Sequence, residues 1–306
     1  MSIATPSRQN PAPVPQADTL VRQALRKVTI IATLPEVTAK ILQIIEDPRS
    51  NASELKKIIS NDPALATRIL KVVNSAFYGL AGQVTTVERA VVMMGFGEIK
   101  NLAVAANVSA LFHSADVSGP FTAKDLWRHS LSVAIAAREM AKMSKLLRNK
   151  TSEAFLGGLI HDLGLVIHMQ MHPDKLGLVC SLAHKQLTEG ITPVNFCALE
   201  RQMIGVDHEQ LGHALTENWR FPELYQQIVG FHHHPKMART EARDMTTLVY
   251  LADTLVCRNF DGFNLTGRSQ QMDAAELQRM GIESDKLEAL VPTIPSLVDA
   301  ALPIFS

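Results

Sequence analysis

Apolar positions recur at three- and four-residue spacing along most of the chain, and no stretch alternates with period two for long. That pattern predicts helices and no sheet, an all-α fold. Val37, Ile41, Ile44 and Ile45 line a first helix, opened at Leu34-Pro35 and stopped by Asp47-Pro48. Ser53 starts a second, with Leu55, Ile58 and Ile59 as its apolar positions. Asp62-Pro63 supplies a cap and a first-turn proline for a third, lined by Leu65, Ile69, Val72 and Val73. Thr85-x-x-Glu88 reads as a capping box before Ala90, Val91 and Met94, and Gly95 and Gly97 precede a further run from Ile99 to Phe112.

A polar, glycine-containing connection from His113 to Pro120 divides the pattern. Beyond it, Thr122-x-x-Asp125 opens a helix carrying Leu126, His129, Val133, Ala136, Ala137 and Met140 on one side. Phe155, Leu156, Leu159, Ile160 and Leu163 predict one buried helix across Ser152 to Leu165, with Thr151 and Ser152 as N-cap candidates. Asp207 caps the next, which Trp219-Arg220-Phe221-Pro222 breaks, and Thr246 to Val256 is another. The expected organisation is a tail at 1–17, a domain at 18–262 with lobes at 18–115 and 116–262, and a helical extension at 263–306.

Composition narrows the classes. At 46% hydrophobic the chain can bury a sizeable core, and 30 basic against 30 acidic residues leave no electrostatic footprint for nucleic acid or anionic membrane. Cys180, Cys197 and Cys257 are odd in number and widely separated, which predicts buried thiols in a reducing compartment. There is no leader-like start and no long uninterrupted apolar run, so the expected setting is cytoplasmic, with no membrane partner.

Candidate chemistry sits in the histidines, of which only one of eleven precedes residue 120. His161 and Asp162 fall inside an apolar stretch, where a carboxylate is rarely buried without a partner or a cation. His129, His161, Asp162, His208, His232, His233 and Asp253 lie on or beside apolar faces in five segments that only a helical bundle could bring together. Imidazole and carboxylate without thiolate suit iron, manganese or zinc and argue against a structural zinc site. Each residue taken singly is also compatible with an ordinary core position. His168 and His172 near Pro173 read as a solvated helix end, and His184 as surface.

The order of these residues, a lone His, then His-Asp, then a distant Asp, resembles the HD superfamily of metal-dependent phosphohydrolases. Leu34-Pro35, Asp62-Pro63-Ala64-Leu65, Asn74-Ser75-Ala76-Phe77-Tyr78-Gly79, Met94-Gly95 and Trp219-x-Phe221-Pro222 are similar to the HDOD domain, an HD-related output domain of bacterial signalling proteins. The resemblance implies a helical lobe packed on an HD-like lobe. It implies a first metal position at His129, His161, Asp162 and Asp253, with Asp162 bridging to a second ion at His208, His232 and His233. One or two ions are expected. In the catalytic HD-GYP branch, which hydrolyses cyclic-di-GMP, a hydroxide held between the ions attacks phosphorus, and Asp162 would be its bridging ligand. This chain departs from that branch at Leu165, where a Lys or Arg stands, and lacks the Gly-Tyr-Pro loop, reading Pro235-Lys236-Met237-Ala238-Arg239 instead. Lys236 and Arg239 are candidate substitute phosphate contacts. The resemblance therefore implies a non-catalytic regulatory module working with signalling proteins such as kinases or response regulators. A metal-dependent phosphodiesterase acting on a nucleotide or cyclic dinucleotide is the alternative. The sequence assigns no oligomeric state.

Overall fold

The computed structural model of the chain describes residues 19–22, 36–46, 49–75, 78–80, 82–114 and 121–305. The tail at 1–17, Leu34-Pro35, Asp47-Pro48, Ala76-Phe77 and residues 115–120 lie outside the described residues. Among those described there is no strand, and the chain is all-α. Among the described residues, a helical stretch at 19–22 is followed by five helices: α1 (Glu36–Glu46), α2 (Ala52–Ser60), α3 (Pro63–Val73), α4 (Val87–Met94) and α5 (Phe96–Val108). Then follow α6 (Ala123–Met143), α7 (Thr151–Ile160), α8 (Leu163–Met171), α9 (Pro173–Thr188), α10 (Phe196–Met203), α11 (His208–Asn218), α12 (Glu223–Phe231) and α13 (Thr240–Asn259). Three further helices follow: α14 (Ala274–Met280), α15 (Ser284–Leu290) and α16 (Ile294–Phe305).

Side-chain caps set many of the helix starts. Asp62 accepts from Leu65 N, and Thr122–Asp125 and Asp207–Gln210 both close full capping boxes. Elsewhere the cap differs from the sequence expectation by one or two residues. Asn51, not Ser53, caps α2, because its carboxamide reaches the backbone N–H groups of Ser53 and Glu54. Thr86, not Thr85, caps α4. Neither Thr151 nor Ser152 caps α7, which starts after Lys150; Ser152 Oγ instead bonds Glu153 and receives Asn101 Nδ2.

The long α6 is the central strut, packed by α7, α13 and α16, while α5 packs on α7 from the side of α1, α3 and α4. Leu126, Leu131, Val133 and Ile135 of α6 and Leu156, Leu159 and Ile160 of α7 are fully buried, each stabilising the fold by about 1.5–3 kcal/mol. Tyr78 ties α5 to α6. Its hydroxyl donates to Glu98 on α5 at 2.8 Å, and the Arg138 guanidinium of α6 lies 4.4 Å above its ring. Asn74 closes α3 and holds the Val84 backbone through two 2.7 Å hydrogen bonds. By length and composition alone Thr151–Met171 could cross a membrane, but it is mostly buried within the bundle.

Candidate metal centre

The helix expected across Ser152 to Leu165 is two helices. α7 ends at Ile160, His161 and Asp162 form a turn, and α8 begins at Leu163. The His161 ring causes part of the break, since its Nδ1 donates at 2.7 Å to the Gly158 carbonyl beside the helix ladder. Gly164 accounts for the approach of α11 from the other side. A Cβ there would collide with the carbonyl oxygen of His208, so only glycine lets α8 and the start of α11 touch.

The turn brings all the sequence-predicted site residues together. Around Asp162 Oδ2 stand His161 Nε2 at 3.1 Å and His129 Nε2 at 3.4 Å, and His129 Nε2 is 3.3 Å from Asp253 Oδ1. Around Asp162 Oδ1 stand His232 Nε2 at 3.5 Å and His208 Nε2 at 3.6 Å. His208 Nε2 and His233 Nε2 are 3.0 Å apart. One carboxylate thus faces two groups, His129–His161–Asp253 and His208–His232–His233, each with donor atoms close enough to hold an ion. Six of the seven residues are buried; His233 is partly so.

Electrostatics bind the cluster. Burial, the largest influence on His129, opposes its charge, yet Asp162 and Asp253 overcome it and raise the imidazolium to about 9. Burial likewise opposes charge on His208, but Glu200 and Asp162 lift it to about 10. Burial pushes the Asp162 carboxyl up, and attraction to His161 and His129 outweighs it, leaving the group well below the usual carboxylate range. Both Asp162 oxygens, Asp253 Oδ2 and His232 Nε2 make no hydrogen bond, although nitrogens crowd the aspartate. Buried polar atoms left this way are costly, and cations at the two groups would give the Asp162 oxygens and His232 Nε2 partners. The residues fit a metal.

Partners outside the cluster fix the rings. His208 Nδ1 meets Glu200 Oε2 at 2.6 Å, and His232 Nδ1 meets the Val229 carbonyl at 3.1 Å. Glu200 is fully buried and drew no notice in the sequence, where an acidic residue in Leu199-Glu200-Arg201 reads as an ordinary helix surface. It also corrects the reading of His168, which is not at a solvated end: it is fully buried, with Nε2 3.6 Å from Glu200 Oε1 and Nδ1 3.4 Å from His172. His184 is exposed as expected, and His234 turns away to Glu209 at 2.7 Å. All three cysteines are buried and free, and Cys257 donates to Asp253 Oδ1 at 3.2 Å.

The profile of the HDOD domain family matches residues 31–235, about two thirds of the chain. The chain belongs to the HDOD family. An HDOD domain protein of unknown function from Geobacter sulfurreducens has a similar structure, with a TM-score of 0.73 at 22% identity over 92% of this chain and 97% of that one. A candidate signal transduction protein from Marinobacter aquaeolei VT8 superposes with a TM-score of 0.72 at 22% identity, covering 94% of this chain and 65% of its own. At that identity both establish the shared fold. An "Uncharacterized protein" of Treponema pallidum (strain Nichols) is 28% identical over 235 residues, 76% of this HDOD chain; the match spans 44% of the relative's length. Asp253 lies beyond the residues that the HDOD profile matches.

Proposed function

We propose that this HDOD protein is a metal-binding, non-catalytic regulatory module acting through protein contacts. His129, His161 and Asp253 would hold one ion and His208, His232 and His233 a second, with Asp162 shared; iron, manganese or zinc suits that donor set. Ions bound there would supply positive charge able to polarise a phosphate ester and to lower the pKa of water. Partial covering of the ligands, together with Leu165, carries the non-catalytic reading, although cavities reach the edges of His129 and His233. Catalytic metal sites keep an open position for substrate, whereas here Phe263 packs 5.8 Å from the His129 ring, Gly267 is buried against Asp253, and Gln270 lies across His233. Leu165, standing where the catalytic branch has a cation, is fully buried. Arg239, the suggested substitute, pairs with Glu223 at 3.2 Å; Lys236 only lines a cleft of about 330 Å³ at the edge of His233.

The phosphodiesterase reading keeps one observation in its favour: both ligand groups and the bridging carboxylate are present. Signalling partners such as kinases or response regulators, an intracellular site of action, and the division into lobes at 18–115 and 116–262 belong to the same proposal. The Marinobacter relative's name supports the signalling role. Cyclic-di-GMP hydrolysis by protein loaded with manganese or iron is the test. No turnover above a His161→Ala control is expected. Robust turnover that His161→Ala abolishes would give the phosphodiesterase reading its place.

A further inference from the structure

Three of the clustered imidazoles have their proton placed by a group that can only accept. His161 Nδ1 faces the Gly158 carbonyl, His232 Nδ1 the Val229 carbonyl and His208 Nδ1 the Glu200 carboxylate. Each Nδ1 therefore carries hydrogen, and each Nε2 points a lone pair or an exchangeable proton at Asp162. His233 differs. Its Nδ1 meets the side-chain amide of Gln270, which can either donate or accept.

The remaining atoms around that amide choose between the two orientations. Its far atom is 2.8 Å from Thr254 Oγ1, and Thr254 Oγ1 is 2.8 Å from the Tyr250 carbonyl. The carbonyl can only accept, so with the one hydroxyl proton of Thr254 given to Tyr250 the amide atom facing Thr254 is the donor. The structure places the amide nitrogen toward His233 and the oxygen toward Thr254, an orientation in which that single proton would have to serve two acceptors; turning the amide over removes the conflict. With the NH2 on Thr254, the Gln270 carbonyl faces His233 Nδ1 and accepts from it. Nitrogen and oxygen of an amide are told apart by such counting. The amide is also held from behind. Arg258 Nη2 donates to the Gln270 backbone carbonyl, and the Gln270 N–H donates to the Gly267 carbonyl at 3.0 Å. Gly267 itself is wedged against Asp253, since a Cβ there would come 2.6 Å from Asp253 Oδ2.

We propose that Gln270 is a positioning residue for the second metal position: its carbonyl fixes His233 as the Nδ1–H tautomer and so presents Nε2 beside His208. This rests on the metal reading of the cluster. Gln270 lies outside residues 31–235, so the role belongs to chain beyond the matched family region.

The experiment pairs histidine 15N NMR of the metal-free protein with calorimetric titration of Mn2+ and Zn2+, on wild type, Gln270→Glu and Gln270→Ala. Wild type should show His233 with hydrogen on Nδ1. Gln270→Glu, whose ionised carboxylate only accepts, should keep that tautomer and the affinity of the second ion. Gln270→Ala should lose the tautomer preference and weaken the second ion by about 10–100-fold. Unchanged affinity for the first ion would report that the variant is folded. A wild-type His233 protonated on Nε2 overturns the proposal, and so does Gln270→Glu losing the second ion as fully as Gln270→Ala. Wild-type protein that takes up no ion at all overturns the metal reading and this role with it. Normal uptake by Gln270→Ala overturns this role alone.

Discussion

A carboxylate with both oxygens buried and neither hydrogen-bonded is expensive to keep, and Asp162 is in that position among nitrogens that repel one another when protonated. In the metal-free protein the cost is met by charging the rings. His129 is raised to about 9 against the burial that opposes it, through Asp162 and Asp253. A raised folded pKa stabilises the protein fully below the ordinary histidine value near 6.5, and that contribution is lost as pH rises through about 9. His208, at about 10, runs the same way. A bound ion must displace those protons, so its affinity rises with pH by about 1.4 kcal/mol per unit for each proton released. The metal-dependent rise in Tm should therefore grow between pH 6 and 8.5, as metal-free stability falls and binding strengthens. Thermal scans with and without Mn2+ across that range check it; an increment that shrinks with pH would contradict the ligand assignment.

The helices themselves were largely legible from apolar spacing, and so were the caps at Asp62, Thr122 and Asp207, because those signals are local. The break at His161–Asp162 was not. Apolar spacing runs unbroken from Phe155 to Leu163, and what ends the helix is a ring bonded to the Gly158 carbonyl and a tertiary contact at Gly164. Glu200 and His168 were missed or misplaced for a related reason: their burial is decided by α11 folding over them, which no neighbouring residue announces. The seven clustered residues could be picked out because polar groups on apolar faces are unusual one by one and more so as a set. Gly164→Ala tests the element-scale account. Forcing α8 from α11 should cost up to about 3 kcal/mol and shift His208 away from Asp162. Gly97→Ala, in open space within α5, should be neutral or stabilise by up to about 1 kcal/mol. Denaturant melts of the two variants make the comparison, and equal effects would remove the close-approach argument.

At the scale of the whole molecule, chain that lies late in the sequence finishes a site begun much earlier. α6, the α7–α8 turn and α11 to α13 carry the seven residues, while Phe263, Gly267 and Gln270 close over them. α16 packs along α6, where Arg128 pairs with Asp299 at 2.8 Å. A bundle arranged this way gains stability from whatever fills its centre, about 2.7 kcal/mol when free ion stands at 100 times its dissociation constant. Calorimetric titration of metal-stripped wild type and Asp162→Ala with Mn2+ or Zn2+ tests the central claim most directly. Wild type should bind saturably, with up to two ions per chain, and Asp162→Ala should lose that binding. Absence of uptake by wild type, or undiminished uptake by Asp162→Ala, would contradict a metal centre built on the shared carboxylate.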